Sequence, residues 1–452
     1  DGASAGAKQT LTSVAMCVAA LCDGASAAQR SATVAQFKGG IGAAEPSTQL
    51  LSLYCLGQIG RHADLSAEQA TLLPALTATF ESSAEEVKSA GAFALGSIAS
   101  GNVGAYLPLL IEQIADPKRA AHHYLLLQAL KELILCAPGE ALQPHVGDIL
   151  PLLFAQAERT TEEGVRTVVS ECLGKLLMAA PTAVLPSLHR SLGHDAPPMR
   201  AIAVSSLRFA IVDTPSALDA ELPGVIADFL RPLSDADLKV RHAALLALSC
   251  VAHNKPQYLG ACLSQLVSPL YAETAKKAEL VHQVDLGPFK HTVDDGLELR
   301  KAAFECMDTL LESCADSLEL HPFIERLVAG LTDDYDIKML CHVVLAKMAT
   351  RPNTSMAVLG MLEQICEPLR KTVCATLKDN AVKQEIERHE ELVRSGLRVS
   401  YLLTKVSGAE GAPKFEEYVR QTLKQGKLAA RYEAICAEVD GADEDPEPMA
   451  MG

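Results

Sequence analysis

The sequence predicts an all-α solenoid, about ten helical pairs stacked side by side with one β-hairpin inserted among them. Three observations carry this reading. Apolar residues recur at helical spacing along nearly the whole chain. A basic-anchored motif returns at a period near forty residues. One short stretch switches to period-two alternation.

Composition sets the bounds. A chain of 452 residues is too long for one ordinary core, so several domains or a repeat array are expected. It is 49% hydrophobic and 21% charged, with 4% aromatic residues and no Trp. Ala and Leu dominate, which favours close-packed helices over strands. The formal charge of −16, from 40 basic and 56 acidic side chains, comes with no dense Lys/Arg stripe. That argues against direct nucleic-acid binding and fits a basic protein partner better. The thirteen cysteines form no C-x-x-C pair, so zinc and redox chemistry have little support. Most lie inside apolar helical runs, Cys172 in ECLGKLL and Cys250 in LALSCVA, where they read as small buried hydrophobes of a reducing compartment, cytoplasm and nucleus. LTSVAMCVAALC, from Leu11, is expected to be a first repeat helix of a fragment rather than a signal core, and no apolar run reaches the roughly 18 residues that span a bilayer.

The repeat justifies the helices. Its clearest copy is DADLKVRHAALLALSCVA from Asp235: an acidic turn, a hydrophobic residue followed by Lys or Arg, then an Ala/Leu-rich helix. Val240, Ala243, Ala244, Ala247, Leu248 and Val251 form one apolar stripe. The basic anchors are Lys88, Arg166, Arg200, Arg241, Arg300 and Lys338, separated by 78, 34, 41, 59 and 38 residues. Interleaved with them, Pro74, Pro108, Pro151, Pro186, Pro223 and Pro322 are each expected to open the second helix of a pair, because proline is tolerated at the first helical position. Such units are HEAT repeats, of the armadillo-like helical class, and they start near residues 7, 47, 84, 118, 162, 197, 237, 297, 334 and 382. The last, KQEIERHEELVRSGLRVSYLLTK, has a charged first half and an apolar second half, as a cap should. From Gly441 the acidic GADEDPEPMAMG reads as a disordered tail. The organisation expected is repeats over 1–277, a hairpin insertion over 278–296, C-terminal repeats and cap over 297–440, and the tail over 441–452.

The 59-residue gap locates the insertion. Leu280, His282, Val284 and Leu286 alternate with Val281, Gln283 and Asp285; after Gly287 and Pro288, residues Phe289, His291 and Val293 alternate with Lys290 and Thr292. Alternation on both sides of Gly-Pro reads as a β-hairpin. An inter-repeat loop or a structural plug could also fill such a gap. The Phe and β-branched residues favour a hairpin that contacts a partner, through Leu280, His282, Val284, Asp285, Leu286, Gly287, Pro288, Phe289, Lys290, His291, Thr292 and Val293.

Catalytic, cofactor and metal signatures are not found. There is no phosphate-binding G-x-x-x-x-G-K-[ST], and GGIGAAE from Gly39 lacks the last glycine of a dinucleotide fingerprint. His389–Glu390 has Val393 where a second zinc-binding His belongs. His122 and His123, adjacent on a helix, point to different faces. Acidic turns paired with arginine, as Asp235 with Arg241, recur along the array, as a packing ladder does and a unique active site does not.

LGPFKHTVDDGLELRKAAFEC from Leu286 resembles the C-terminal region of the cullin-associated, neddylation-dissociated family, also called TATA-binding-protein-interacting proteins. EEVKSAGAFALGSIASGN from Glu85, VVSECLGKL from Val168, AHNKP from Ala252, DYDIKML from Asp334, EPLR from Glu367 and VKQEIE from Val382 match in the same order. The resemblance implies a C-terminal fragment that embraces the N-terminal domain of an unneddylated cullin carrying its RING subunit. It implies that the hairpin occupies the docking site of the adaptor and substrate receptor, so that the chain promotes receptor exchange and assembly of SCF-type ubiquitin ligases. No membrane or direct nucleic-acid partner is implied. An importin-β-like transport receptor is the alternative; its expected tryptophan-bearing inner surface has no counterpart here. A phosphatase-type scaffold predicts regular repeats without an insertion.

Overall fold

The computed structural model describes residues 2–444 apart from 213, 288 and 379, and their side chains except at 2–8, 286, 289–291 and 442–444. The chain divides into two compact units, Asp1–Cys250 and Val251–Gly452.

In the first unit, helices Gly2–Asp23, Pro46–His62, Glu85–Gly101, His123–Cys136, Glu163–Ala179 and Pro197–Ile211 alternate with Ala27–Gly40, Gln69–Ala78, Val103–Ala115, Val146–Arg159 and Pro181–Ser191. These starts fall within about five residues of the predicted repeat boundaries. The DADLKVR motif shows why the helices begin where they do. The Asp237 carboxylate accepts hydrogen bonds from the amides of Lys239 (2.9 Å) and Val240 (3.2 Å), capping the helix Leu238–Asn254. Val240, Ala244, Ala247 and Leu248 are fully buried. Arg241 reaches back to the carbonyls of Asp235 (2.7 Å) and Ala236 (3.1 Å). One repeat earlier, Arg200 donates to both oxygens of Asp235 at 2.7 Å. That hydrogen-bonded pair holds the Asp235 carboxyl below the usual carboxylate range. The acid–arginine turns are therefore joints between consecutive repeats.

The prolines sit elsewhere than expected. Pro74, Pro108, Pro151 and Pro186 each lie inside their helices, at the sixth residue, and Pro322 lies at the third residue of Leu320–Gly330. Pro223 belongs to the short 3-10 turn Leu222–Gly224. The preceding apolar turn stays helical because its side chains are buried: Tyr106 and Leu107 are 1% and 0% exposed, and the Tyr106 hydroxyl donates to the Leu65 carbonyl at 2.9 Å. Burying two large side chains outweighs one missing helical hydrogen bond, worth about 1 kcal/mol. The first-position preference does appear, at Pro46, Pro181, Pro197, Pro352 and Pro413.

Helices Pro46–His62, Glu85–Gly101 and His123–Cys136 pack in succession at very short range. At Gly96 a β-carbon would stand 2.2 Å from the Ala129 carbonyl oxygen and 2.6 Å from the Glu132 β-carbon. Gly96→Ala is expected to destabilise the first unit. The overpacking cost of about 1–3 kcal/mol meets rigid backbone and exceeds the roughly 1 kcal/mol that alanine adds in helix propensity. A melting temperature lowered by several degrees checks it; an unchanged or raised one refutes it.

In the second unit, helices Leu297–Cys314, Leu320–Gly330, Tyr335–Thr350, Leu362–Val373 and Lys383–Thr404 continue the pairing. Lys383–Thr404 packs on Tyr335–Thr350, Leu362–Val373 and Ala429–Glu444. Its first turns, from Lys383 to Arg388, are exposed, while Val393, Leu397 and Leu403 are buried. The helix Ala429–Glu444 carries through Gly441, so the first four residues of the expected tail are helical; residues 445–452 lie outside the described residues. No helix among the described residues is long and apolar enough to cross a membrane. None of the thirteen cysteines is in a disulfide; Cys172 is buried as expected, Cys250 is half-buried, and Cys17 and Cys374 are exposed.

Candidate functional site: the inserted hairpin

The period-two stretch folds as expected. Strand β1 (Val281–Leu286) pairs antiparallel with β2 (Phe289–Asp294), the one sheet among the described residues. Gly287 turns the chain at φ 67°, the left-handed region that the first position of a tight hairpin loop requires and that glycine enters without a β-carbon penalty. Pro288 lies outside the described residues, as do the side chains of Leu286, Phe289, Lys290 and His291.

Register sorts the ribbon into two faces. Val281 pairs with Asp294, His282 with Val293, Gln283 with Thr292, Val284 with His291, Asp285 with Lys290 and Leu286 with Phe289. Positions 282, 284, 286, 289, 291 and 293 therefore share one face, with four apolar residues and two histidines. The opposite face carries Val281, Gln283, Asp285, Lys290, Thr292 and Asp294. The structure thus divides the predicted contact residues between two surfaces. His282, Asp285, Gly287 and Thr292 are exposed, and Leu280 and Val293 are half-buried. Val284 is 36% exposed, a large apolar side chain in the middle of a strand left partly in solvent. Each strand packs chiefly on the other; among the described residues no helix lies along either one to a comparable extent.

The root of the ribbon is polar and tightly held. Asp294 ends β2, and its carboxylate accepts from Arg300 Nη1 at 3.3 Å, from Arg300 Nη2 at 3.0 Å and from the Gly296 amide at 3.0 Å. Lys276 Nζ stands 3.5 Å away. Arg300, 1% exposed, also grips Asp333 through Nε (2.9 Å) and Nη2 (3.0 Å). Burial is the largest single influence and would raise the Asp294 carboxyl; the Arg300 hydrogen bonds and charge, the Gly296 amide and Lys276 together outweigh it and hold the group below the usual carboxylate range. The Asp295 amide donates to the Leu280 carbonyl at 3.0 Å, closing the base. Sequence reasoning ended the site at Val293 and treated Arg300 only as a repeat anchor. The signal was available: Asp294 precedes Arg300 by the same six residues that separate Asp235 from Arg241.

Elsewhere the arrangement offers little chemistry. His122 meets Glu81 at 2.9 Å, while His123 lies against the Asp116 carbonyl, so the pair does not converge. No group of three metal-ligating side chains comes together among the described residues. Shallow clefts run beside Tyr335–Thr350, lined by Met339, Leu340 and Val343 on one side and Arg394 and Arg398 on the other.

Comparison with known proteins bears on the same region. The family described as TATA-binding protein interacting (TIP20) matches residues 214–423, and the HEAT repeats of the stalled ribosome sensor GCN1-like family match residues 106–286. Cullin-associated NEDD8-dissociated protein 1 of Dictyostelium discoideum is 38% identical over 97% of this chain, and that of Arabidopsis thaliana is 41% identical over 95%. Cullin-associated NEDD8-dissociated protein 2 of Mus musculus is 38% identical over 96%. The chain spans about a third of the length of these relatives, 35% in each case. Among solved structures, yeast importin-β (Kap95p) aligns with a TM-score of 0.59 at 14% identity, covering 92% of this chain and 52% of that one. A complex of Kap95p with RanGDP aligns at 0.60 and 12%, covering 90% and 52%. Those likenesses show the HEAT solenoid and nothing more.

Proposed function

The chain belongs to the family of cullin-associated NEDD8-dissociated proteins, and from that premise we propose that it is a non-catalytic scaffold that holds an unneddylated cullin–RING complex by the cullin's N-terminal domain. The hairpin from Leu280 to Val293 enters the site that the adaptor and substrate receptor use. Two occupants of one pocket weaken each other by the same factor, so the scaffold ejects one receptor and admits another. It acts in this way in cytoplasm and nucleus.

One observation carries the reading: among the described residues a single two-faced ribbon interrupts the helices, fixed at its root and bearing Val284 partly in solvent at mid-strand. An exposed apolar position on a held element is what an interface anchor needs. The acidic balance of the chain, −16 overall, favours encounter with a basic surface.

The test is a binding assay between this chain and an unmodified cullin N-terminal domain, with and without excess adaptor–receptor complex. Binding that the adaptor suppresses is expected. Replacing Gly287 to His291 by a Gly/Ser linker should leave the helical circular dichroism intact and slow receptor displacement at least tenfold, about 1.4 kcal/mol of lost coupling. Displacement at the original rate would put the competing contact elsewhere.

A further inference from the structure

We infer that Arg300 and Asp294 position the hairpin: by gripping the last residue of β2 and the turn of the next repeat together, Arg300 fixes the ribbon's direction, and partner affinity depends on that fixation. This rests on the reading that the hairpin is the partner contact.

The departure from the other repeats carries the inference. Elsewhere the anchor arginine closes its own turn through backbone carbonyls. Arg200 donates to His194 and Asp195 (2.8 and 3.0 Å), Arg241 to Asp235 and Ala236, and Arg166 to Thr160 (3.0 Å). In each case the first acceptor lies six residues back. Six residues before Arg300 is Asp294, and there the side-chain carboxylate replaces the backbone carbonyl. The Asp333 half of the arrangement is the ordinary joint, matching Arg200 on Asp235. The Asp294 half is the addition, and it holds a strand. A backbone acceptor would serve the helix equally well and would avoid burying a second carboxylate, whose desolvation is costly. What the carboxylate adds is a charge-assisted, two-point hold on the residue paired with Val281, the first of β1. The ribbon needs such a hold because a two-stranded hairpin is marginal alone and, among the described residues, no helix packs along it as closely as its two strands pack on each other. Gly296 completes the seat: a β-carbon there would come within 3.0 Å of Leu280 Cδ1.

Asp294→Ala tests the inference, because it frees the strand while leaving Arg300 paired with Asp333. In the unbound chain, amide exchange across Val281–Asp294 should quicken at least tenfold, with Tyr335–Thr350 and Lys383–Thr404 unchanged. Affinity for the cullin N-terminal domain should fall about tenfold, and Asp294→Asn, which keeps one acceptor oxygen, should recover part of both effects. In a chain whose tip is already replaced, Asp294→Ala should cost no further affinity. Strand exchange at the wild-type rate, or full affinity in Asp294→Ala when tip replacement abolishes binding, would reduce the contact to a fold joint. Binding indifferent to tip replacement would instead sink the hairpin-docking reading, and the exchange arm would still report whether Asp294 holds the ribbon.

Discussion

Arg300→Met is expected to lower the stability of the second unit by about 3–5 kcal/mol, the range for breaking a buried ion pair from one side. The Arg300 side chain is 2% exposed, and those of Asp294 and Asp333 are 12% and 8% exposed. Removing the guanidinium leaves two carboxylates facing each other with little water, and both must take up protons or pull away. Arg300→Lys should recover only a fraction, because a single ammonium cannot match two planar carboxylates as a fork of five N–H groups does. Adding Asp294→Asn and Asp333→Asn to Arg300→Met should restore more than half of the loss, since the main penalty is unpaired charge and not missing attraction. Titrations with urea on the four proteins decide it. A loss below about 1 kcal/mol for Arg300→Met would mean that the clamp behaves as an exposed pair. In the wild type, Asp294 titrates below its ordinary value, so its contribution is present above about pH 4 and is lost only as pH falls through the lowered value.

The clamp also shows where sequence reading succeeds and where it stops. Periodicity reports which face of an element is buried, so the stripe from Val240 to Leu248 and the alternation from Leu280 to Val293 were both legible. Recurrence fixed the repeat starts, because the acidic cap and the arginine are local chemistry repeated at each joint. The prolines were misplaced for a complementary reason. A proline one and a half turns inside a helix leaves the same local pattern as one at the first position, and only burial of the residues before it, Tyr106 ahead of Pro108, tells them apart. The sequence likewise offered every candidate contact residue without dividing them, since register, not composition, sets which residues share a face. The Arg300 hold on Asp294 was missed because it joins two elements read separately, the insertion and the repeat that follows it. The four helical residues from Gly441 extend a helix whose earlier turns, through Ile435 and Val439, are buried; an acidic composition did not reveal that support.

A second large effect should appear on mild acidification, through His342. This residue is fully buried on Tyr335–Thr350, and its Nδ1 shares a 3.1 Å hydrogen bond with the Ser395 hydroxyl on Lys383–Thr404. Its Nε2 meets no partner among the described residues. Burial, reinforced by the charge of Lys338, pushes the imidazole down to about 4 from its ordinary 6.5. A histidine depressed in the folded state binds its proton more readily when unfolded. Its contribution is therefore fully present above about pH 6.5 and is lost as pH falls from there toward 4. Between pH 7.5 and 5 the wild type should lose about 2 kcal/mol from this group alone. Carboxylates held low by arginine or lysine, Asp294 and Glu312 among them, contribute only at still lower pH, so the window belongs to the imidazole. His342→Leu keeps an apolar side chain in the site and has nothing to titrate. It gives up the Ser395 bond, about 1 kcal/mol at neutral pH, and should become the more stable of the two proteins by pH 5. Stability curves for the pair at pH 7.5, 6 and 5 measure this crossing. Parallel curves would mean that the seam between Tyr335–Thr350 and Lys383–Thr404 admits water to His342. A crossing would identify that seam as the part of the second unit that acid opens first, with Lys383–Thr404 and the helix packed on it, Ala429–Glu444, loosening together.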